Sequence, residues 1–188
     1  MLNHSALFVF LTHHVASGVV EEDEMLRPLD TIQSGDTLIG VPSNGLHTNG
    51  YSLVRHVFGL DQDHSLLFEY FEELGETLAE ALLRPHLSYY SELKNIFKHV
   101  KGIAHITGGG LSNLLRLHPS RGYRFDSPLP VLPEFHWIQE MGSVDDREMH
   151  RTFNMGTGMI LIVSNEAADT ILNWLKERDS GASIIGKT

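Results

Sequence analysis

Eight residues, Ser43-Asn44-Gly45-Leu46-His47-Thr48-Asn49-Gly50, separate two stretches of different hydrophobic period. Before them, Asp36 to Val41 is a short apolar run bounded by Gly35 and Pro42, which predicts a buried strand. After them, Tyr51, Val54 and Phe58 fall at i, i+3 and i+7, with Leu53 and Val57 alongside, which predicts a helix. A strand that turns into a helix through glycines lets backbone approach a ligand closely and offers unpaired helix N–H groups to an anion. Ser43, Asn44 and Asn49 add polar side chains, and His47 can donate or transfer a proton. A plain loop is the competing reading, because Asn-Gly also favours hairpin turns. The helical period that follows argues against the hairpin.

Thr107-Gly108-Gly109-Gly110 repeats the arrangement, between a predicted strand at Gly102 to Thr107 and a helical stretch to Leu117. Three glycines are entropically costly unless backbone needs positive φ or close approach. A tight turn also explains them, but two such junctions in one domain point to one shared anion site. A third segment runs from Glu148 to Met159. Met149 and Phe153 read as core. Arg151 suits a phosphate or carboxylate, or else a surface ion pair. Asn154, Gly156 and Gly158 can shape a pocket edge just before a strand at Met159 to Val163.

Elsewhere strands and helices mix. Ala6 to Leu11 and Val15 to Val20 read as extended. Thr77 to Leu83 predicts a short helix stopped by Pro85, and Tyr89, Leu93, Ile96 and Phe97 share a helical face. Tyr123 to Phe125 and Ala182 to Ile185 read as short strands, and Pro128 and Pro130 as loop. Pro133 suits the first turn of a helix to Met141. Ala168, Ile171, Leu172 and Leu175 mark one helical face, with Glu166 before it and Lys176 and Arg178 at its end. Gly59 to Gly75 gives no clear period. The expectation is an α/β (α+β) fold, one domain with a mixed β-sheet flanked by helices.

The chain has 188 residues, which suits one domain, or one and a half. Its formal charge of −10 argues against general nucleic-acid binding but not against a phosphate held by backbone amides. The absence of Cys excludes a disulfide framework, a thiolate metal site and a Cys nucleophile. Twelve His invite a metal reading, yet there is no His-Glu-x-x-His and no other compact ligand set. His56, His64, His86, His99, His118 and His136 are scattered and read as surface, so no metal residue is assigned. Ala6 to Leu11 is too short to span a bilayer and no Lys or Arg precedes it, so the expectation is a cytoplasmic protein without a membrane partner.

The quoted segments resemble the C-terminal domain of phosphoribosylformylglycinamidine cyclo-ligase, or AIR synthase. The matching text is Gly35 to Arg55, His105 to Leu111 and Glu134 to Met159, with Gly18 to Glu21 similar to the strand that leads in. Residues 15–188 are read as this domain, residues 1–14 as an unmatched segment, and the final strand as cut short. The resemblance implies an ATP-dependent ring closure that turns formylglycinamidine ribonucleotide into aminoimidazole ribonucleotide in purine biosynthesis. Such chemistry needs positioning and proton transfer more than a covalent nucleophile. By resemblance, Ser43, Asn44, Gly45, Asn49 and Gly50 face substrate or phosphate, and Thr107, Gly108, Gly109 and Gly110 form the opposite wall. Arg151, Asn154, Gly156 and Gly158 complete the binding residues, and His47 is the catalytic candidate.

ATP and Mg²⁺ are implied as cofactors, but the half that carries most of their site in the family has no counterpart here. A separate N-terminal half and a second copy, as a homodimer, are the macromolecular partners left open. Three departures stand out. The family's Glu-Asn-Ile-Pro-Arg after the glycines reads Leu111-Ser112-Asn113-Leu114-Leu115-Arg116. Its Pro-Thr before a Tyr reads Pro85-His86, and its Asn-Cys-Gly reads Asn154-Met155-Gly156. Three functions remain open: the substrate-side half of a cyclo-ligase, a stand-alone binding module for a phosphorylated metabolite, or an inactive fragment.

Overall fold

Strand β1, Thr37–Pro42, is buried on both faces over Thr37 to Val41, as a continuous apolar run requires of a central strand. The computed structural model describes residues 20–127 and 129–188. The expected strand at Ala6 to Leu11, that at Val15 to Val20 except Val20, the Gly18 to Glu21 lead-in except its last two residues, and Pro128 lie outside them. In chain order the remaining strands are β2 (Tyr70–Phe71), β3 (Glu76–Thr77), β4 (Val100–His105), β5 (Arg124–Phe125), β6 (Thr157–Val163) and β7 (Ser183–Lys187). The helices are α1 (Pro28–Thr31), α2 (Tyr51–Val57), α3 (Leu78–Leu82), α4 (Tyr90–Leu93), α5 (Pro133–Gly142), α6 (Asp146–Thr152) and α7 (Ala168–Lys176).

Five strands form the main sheet in the order β4-β6-β1-β7-β5. β1 pairs with β6 from Thr37↔Val163 to Pro42↔Thr157, and with β7 from Thr37↔Lys187. Helices flank this sheet, so the fold class stands, but the expected mixed pairing is corrected. Every pairing among the described residues is antiparallel. The reason lies in two split crossovers. β6 and β7 run the same way, joined through α7, but β1 lies between them. β1 and β4 also run the same way, and β6 lies between them. The alternation of strand and helix is real, and each crossover straddles a strand from the other.

One sheet face, with Ile39, Val41, Leu161 and Val163, packs on Leu93 and Ile96 and on Ile171 and Leu175 of α7. Trp174 Nε1 donates to Glu92 O at 2.9 Å and ties α7 to α4. The other face, with Leu38, Ile160, Ile162 and Ile185, packs on Ile32 and on Leu114. A third cluster contains no residue of the main sheet. Leu46, Val54 and Phe58, Leu78 and Leu82, Phe135 and Ile138, and Met149 and Phe153 gather α2, α3, α5 and α6 at one end of the sheet.

α6 is a helix that the spacing did not predict. Asp145 is its N-cap and accepts the Arg147 N–H at 3.0 Å. Gly110–Arg116 is a 3₁₀ helix where a helical stretch was expected. The unreadable stretch after Gly59 holds a 3₁₀ turn, Ser65–Phe68, and the β2–β3 hairpin.

Candidate functional site

β1 delivers the chain into the Ser43 to Gly50 loop, and Asn154 clasps that loop to the start of β6. Its Oδ1 accepts from Ser43 Oγ and from Gly156 N, each at 2.8 Å. Its Nδ2 donates to Gly45 O at 2.9 Å. Ser43 N–H donates to Gly156 O at 2.8 Å. Ser43 and Asn154 are buried and spend their polar atoms on one another and on backbone. The structure therefore places both as the frame of the loop, with Gly45 and Gly156 as their backbone partners.

Gly50 is the N-cap of α2 with φ at +84°, and a Cβ there would lie 2.0 Å from Phe153 Cε1. Only glycine allows both the left-handed turn and the contact with Phe153. No side chain caps α2, so its first-turn N–H groups are left to solvent or a ligand. The second junction sits opposite: a Cβ on Gly108 would lie 3.8 Å from Asn49 Oδ1. Gly109 N–H is taken by Arg151 O at 2.7 Å and Gly110 N–H by Thr107 O at 2.9 Å. These two amides hold the turn and α6 together. Two buried polar atoms beside these glycines, Asn49 Nδ2 and Asn113 Oδ1, have no hydrogen-bond partner.

Arg151 stands apart. Its side chain is exposed on α6 and pairs with Glu148 at 2.8 Å, and only its backbone carbonyl joins the glycine wall. Gly158 meets His47 instead. A Cβ on Gly158 would sit 1.8 Å from Tyr89 Oη and 3.2 Å from His47 Cε1. Tyr89 lies there because its hydroxyl donates to Pro42 O at 2.8 Å.

His47 is 4% exposed, with φ at +59°. Asn44 Nδ2 donates to Pro85 O at 2.9 Å, which turns Asn44 Oδ1 to His47 Nε2 at 3.0 Å. Nε2 therefore carries the proton, and Nδ1, buried without a partner, carries the lone pair. Burial, and then the neighbouring His86 and His105, push the His47 pKa down to about 4. Burial and His86 lower that of His105. Burial first, then Glu92, raises the Tyr89 hydroxyl far above its usual range.

His86 and His105 escaped the sequence reading, as did Arg84. No local spacing joins positions 47, 86 and 105, and the reading of scattered histidines is corrected in space. The His47 and His86 rings lie 3.8 Å apart, and His86 Nε2 lies 3.1 Å from His105 Nε2. Arg84 donates to Asn44 O, to the buried Glu134 at 2.8 Å, and to Glu76. Glu134 lay inside a quoted segment, but nothing in its spacing marked it as the partner of Arg84.

Paired glycine junctions, a clasping Asn and a buried neutral His meet at one end of the sheet of this α/β domain. The model of the family "AIR synthase related protein, C-terminal domain" matches residues 33–188, and the chain belongs to that family. A phosphoribosylformylglycinamidine cyclo-ligase from Geobacillus kaustophilus is 44% identical over 177 residues, covering 92% of this chain and 51% of that protein. One from Caldicellulosiruptor bescii is 44% identical, covering 90% and 51%. The chloroplastic/mitochondrial one from Vigna unguiculata is 44% identical, covering 84% and 41%. The chain thus spans about half the length of the curated relatives it matches. Among solved structures, tt0281 from Thermus thermophilus aligns over 83% of this chain with a TM-score of 0.49 and 16% identity. Among the described residues, no helix is long and apolar enough to cross a membrane.

Proposed function

We propose that this chain is the substrate-side half of a phosphoribosylformylglycinamidine cyclo-ligase, acting together with an ATP-binding half. One observation carries the reading. The three segments that resemble the family are far apart in sequence and meet around His47, Asn49 and Gly108. The unpartnered Asn49 Nδ2 and Asn113 Oδ1 are a donor and an acceptor waiting for a polar ligand.

In the reaction, ATP activates the formyl oxygen of formylglycinamidine ribonucleotide as a phosphate ester. An amidine nitrogen closes the ring, and phosphate leaves. His47 is neutral near pH 7 and its free Nδ1 accepts a proton, so its role is base rather than acid. The uncapped first turn of α2 offers N–H groups to phosphate, and the Gly108 turn, whose Gly109 and Gly110 amides are spent on protein carbonyls, leaves room beside it. For Mg²⁺ the residues present do not fit. It takes oxygen ligands, whereas the only group of metal-ligating side chains among the described residues is histidine. No step is therefore routed through Mg²⁺ on this chain.

The test is substrate-dependent ADP release by the chain alone and with a family N-terminal half supplied in trans. Turnover only in the mixture is expected. No ADP release in either arm, with a folded chain by circular dichroism, overturns the enzyme reading. Ligand binding in that case favours the stand-alone binding module.

A further inference from the structure

We propose that His47, His86 and His105 form a three-imidazole site for a divalent late first-row transition ion, of which Zn²⁺ is the type. The three come from separate parts of the fold. His47 lies in the loop after β1, His86 follows α3, and His105 ends β4. One ring nitrogen from each lies within 4.8 Å of the other two.

The hydrogen bonds set the lone pairs. Asn44 Oδ1 takes the Nε2 proton of His47 and leaves Nδ1 free, buried and without a partner. The Leu87 carbonyl accepts from His86 Nδ1 at 2.6 Å, which leaves His86 Nε2 as a lone pair. That lone pair faces His105 Nε2 at 3.1 Å. Two such nitrogens on a tetrahedral zinc stand about 3.3 Å apart, given Zn–N bonds of about 2.0 to 2.1 Å. A proton on His105 Nε2 satisfies this contact in the free protein. A metal ion replaces it once the proton of His105 moves to Nδ1, and no net proton is released. His86 lies against the His47 ring, with centroids 3.8 Å apart and planes 32° from parallel, so ligation requires the exposed His86 and His105 rings to rotate until their lone pairs converge with His47 Nδ1.

Partners that fix the tautomer of a ligating histidine are the usual outer ring of a metal site. Here Asn44 and the Leu87 carbonyl occupy that place. Tyr89 walls the cluster, with ring centroids 6.2 Å from His47 and from His86. Three neutral nitrogens select zinc, cobalt, nickel or copper over magnesium and calcium, and leave a fourth position for water. The inference does not rest on the cyclo-ligase reading. The two meet at one atom: a metal on His47 Nδ1 removes the lone pair that accepts a proton, so the ion inhibits turnover.

The test is titration of the metal-free chain with CoCl₂, followed by visible absorption, and with ZnCl₂ by calorimetry. One equivalent and an intense tetrahedral Co²⁺ band are expected. His86→Ala and His105→Ala each weaken binding by roughly 100-fold or more and abolish the band. Far-UV circular dichroism checks that both variants fold. His86 is an exposed loop residue, so its variant decides if His105→Ala is misfolded. His13→Ala/His14→Ala removes the adjacent pair near the N-terminus and leaves the band intact. No band, unchanged affinity in His86→Ala, or loss of the site with His13 and His14 overturns the proposal. Both readouts are independent of ADP release, so failure here leaves the functional reading standing.

Discussion

A histidine kept neutral by its surroundings has a measurable effect on folding. In the unfolded chain His47 takes up a proton near pH 6.5, but in the folded protein only near pH 4. Between these values the unfolded state binds more protons, so stability falls as pH drops through that window and is regained above about 6.5. Burial is the main cause, and the rings of His86 and His105 add to it. The expected result is that urea midpoints of the wild type decline from pH 6.5 to 4 more steeply than those of His47→Gln. The difference should reach about 3 kcal/mol by pH 4, following the size of the shift. Parallel curves would show that His47 does not carry this proton linkage.

Short elements here are held by charges whose partners no sequence window contains. Arg84 follows α3 and reaches β3 through Glu76, α5 through Glu134, and the loop after β1 through Asn44 O. Glu134 is 4% exposed, so removal of Arg84 strands a buried carboxylate. Arg84→Met should cost about 3 kcal/mol, read from chemical denaturation, with Glu134→Gln recovering part of the loss. A cost near zero would mean that water replaces the guanidinium. What was legible follows from the same distinction. β1, β6 and α7 were readable because Leu38 to Val41, Met159 to Val163 and Ala168 to Leu175 carry their period within one window. The loop at Ser43 and the glycines at Gly108 were readable as junctions. α6 was not, because its N-cap Asp145 and the adjoining Asp146 are charges that suit a turn equally well, and it buries only Met149. The histidine cluster was not, because it exists only after three distant segments fold.

At the scale of the whole molecule, the interleaved crossovers tie the two ends of the chain into one sheet. β1 has β6 on one edge and β7 on the other, and both come from the last part of the sequence. A fragment of residues 1–150 keeps β1, β4 and β5, all running one way with none of their partners. It should lose the main-sheet signal by far-UV circular dichroism, keeping at most the small β2–β3 hairpin, and show a red-shifted Trp137 emission. A native-like emission maximum would mean that the helical end folds without the sheet. The same order has a consequence during synthesis. β1 leaves the ribosome roughly 120 residues before β6, a wait of about ten seconds at common translation rates. For that interval a largely apolar strand travels without either neighbour. A nascent chain of this design therefore depends on being shielded while it is made, and translation speed across residues 43–157 becomes a determinant of yield.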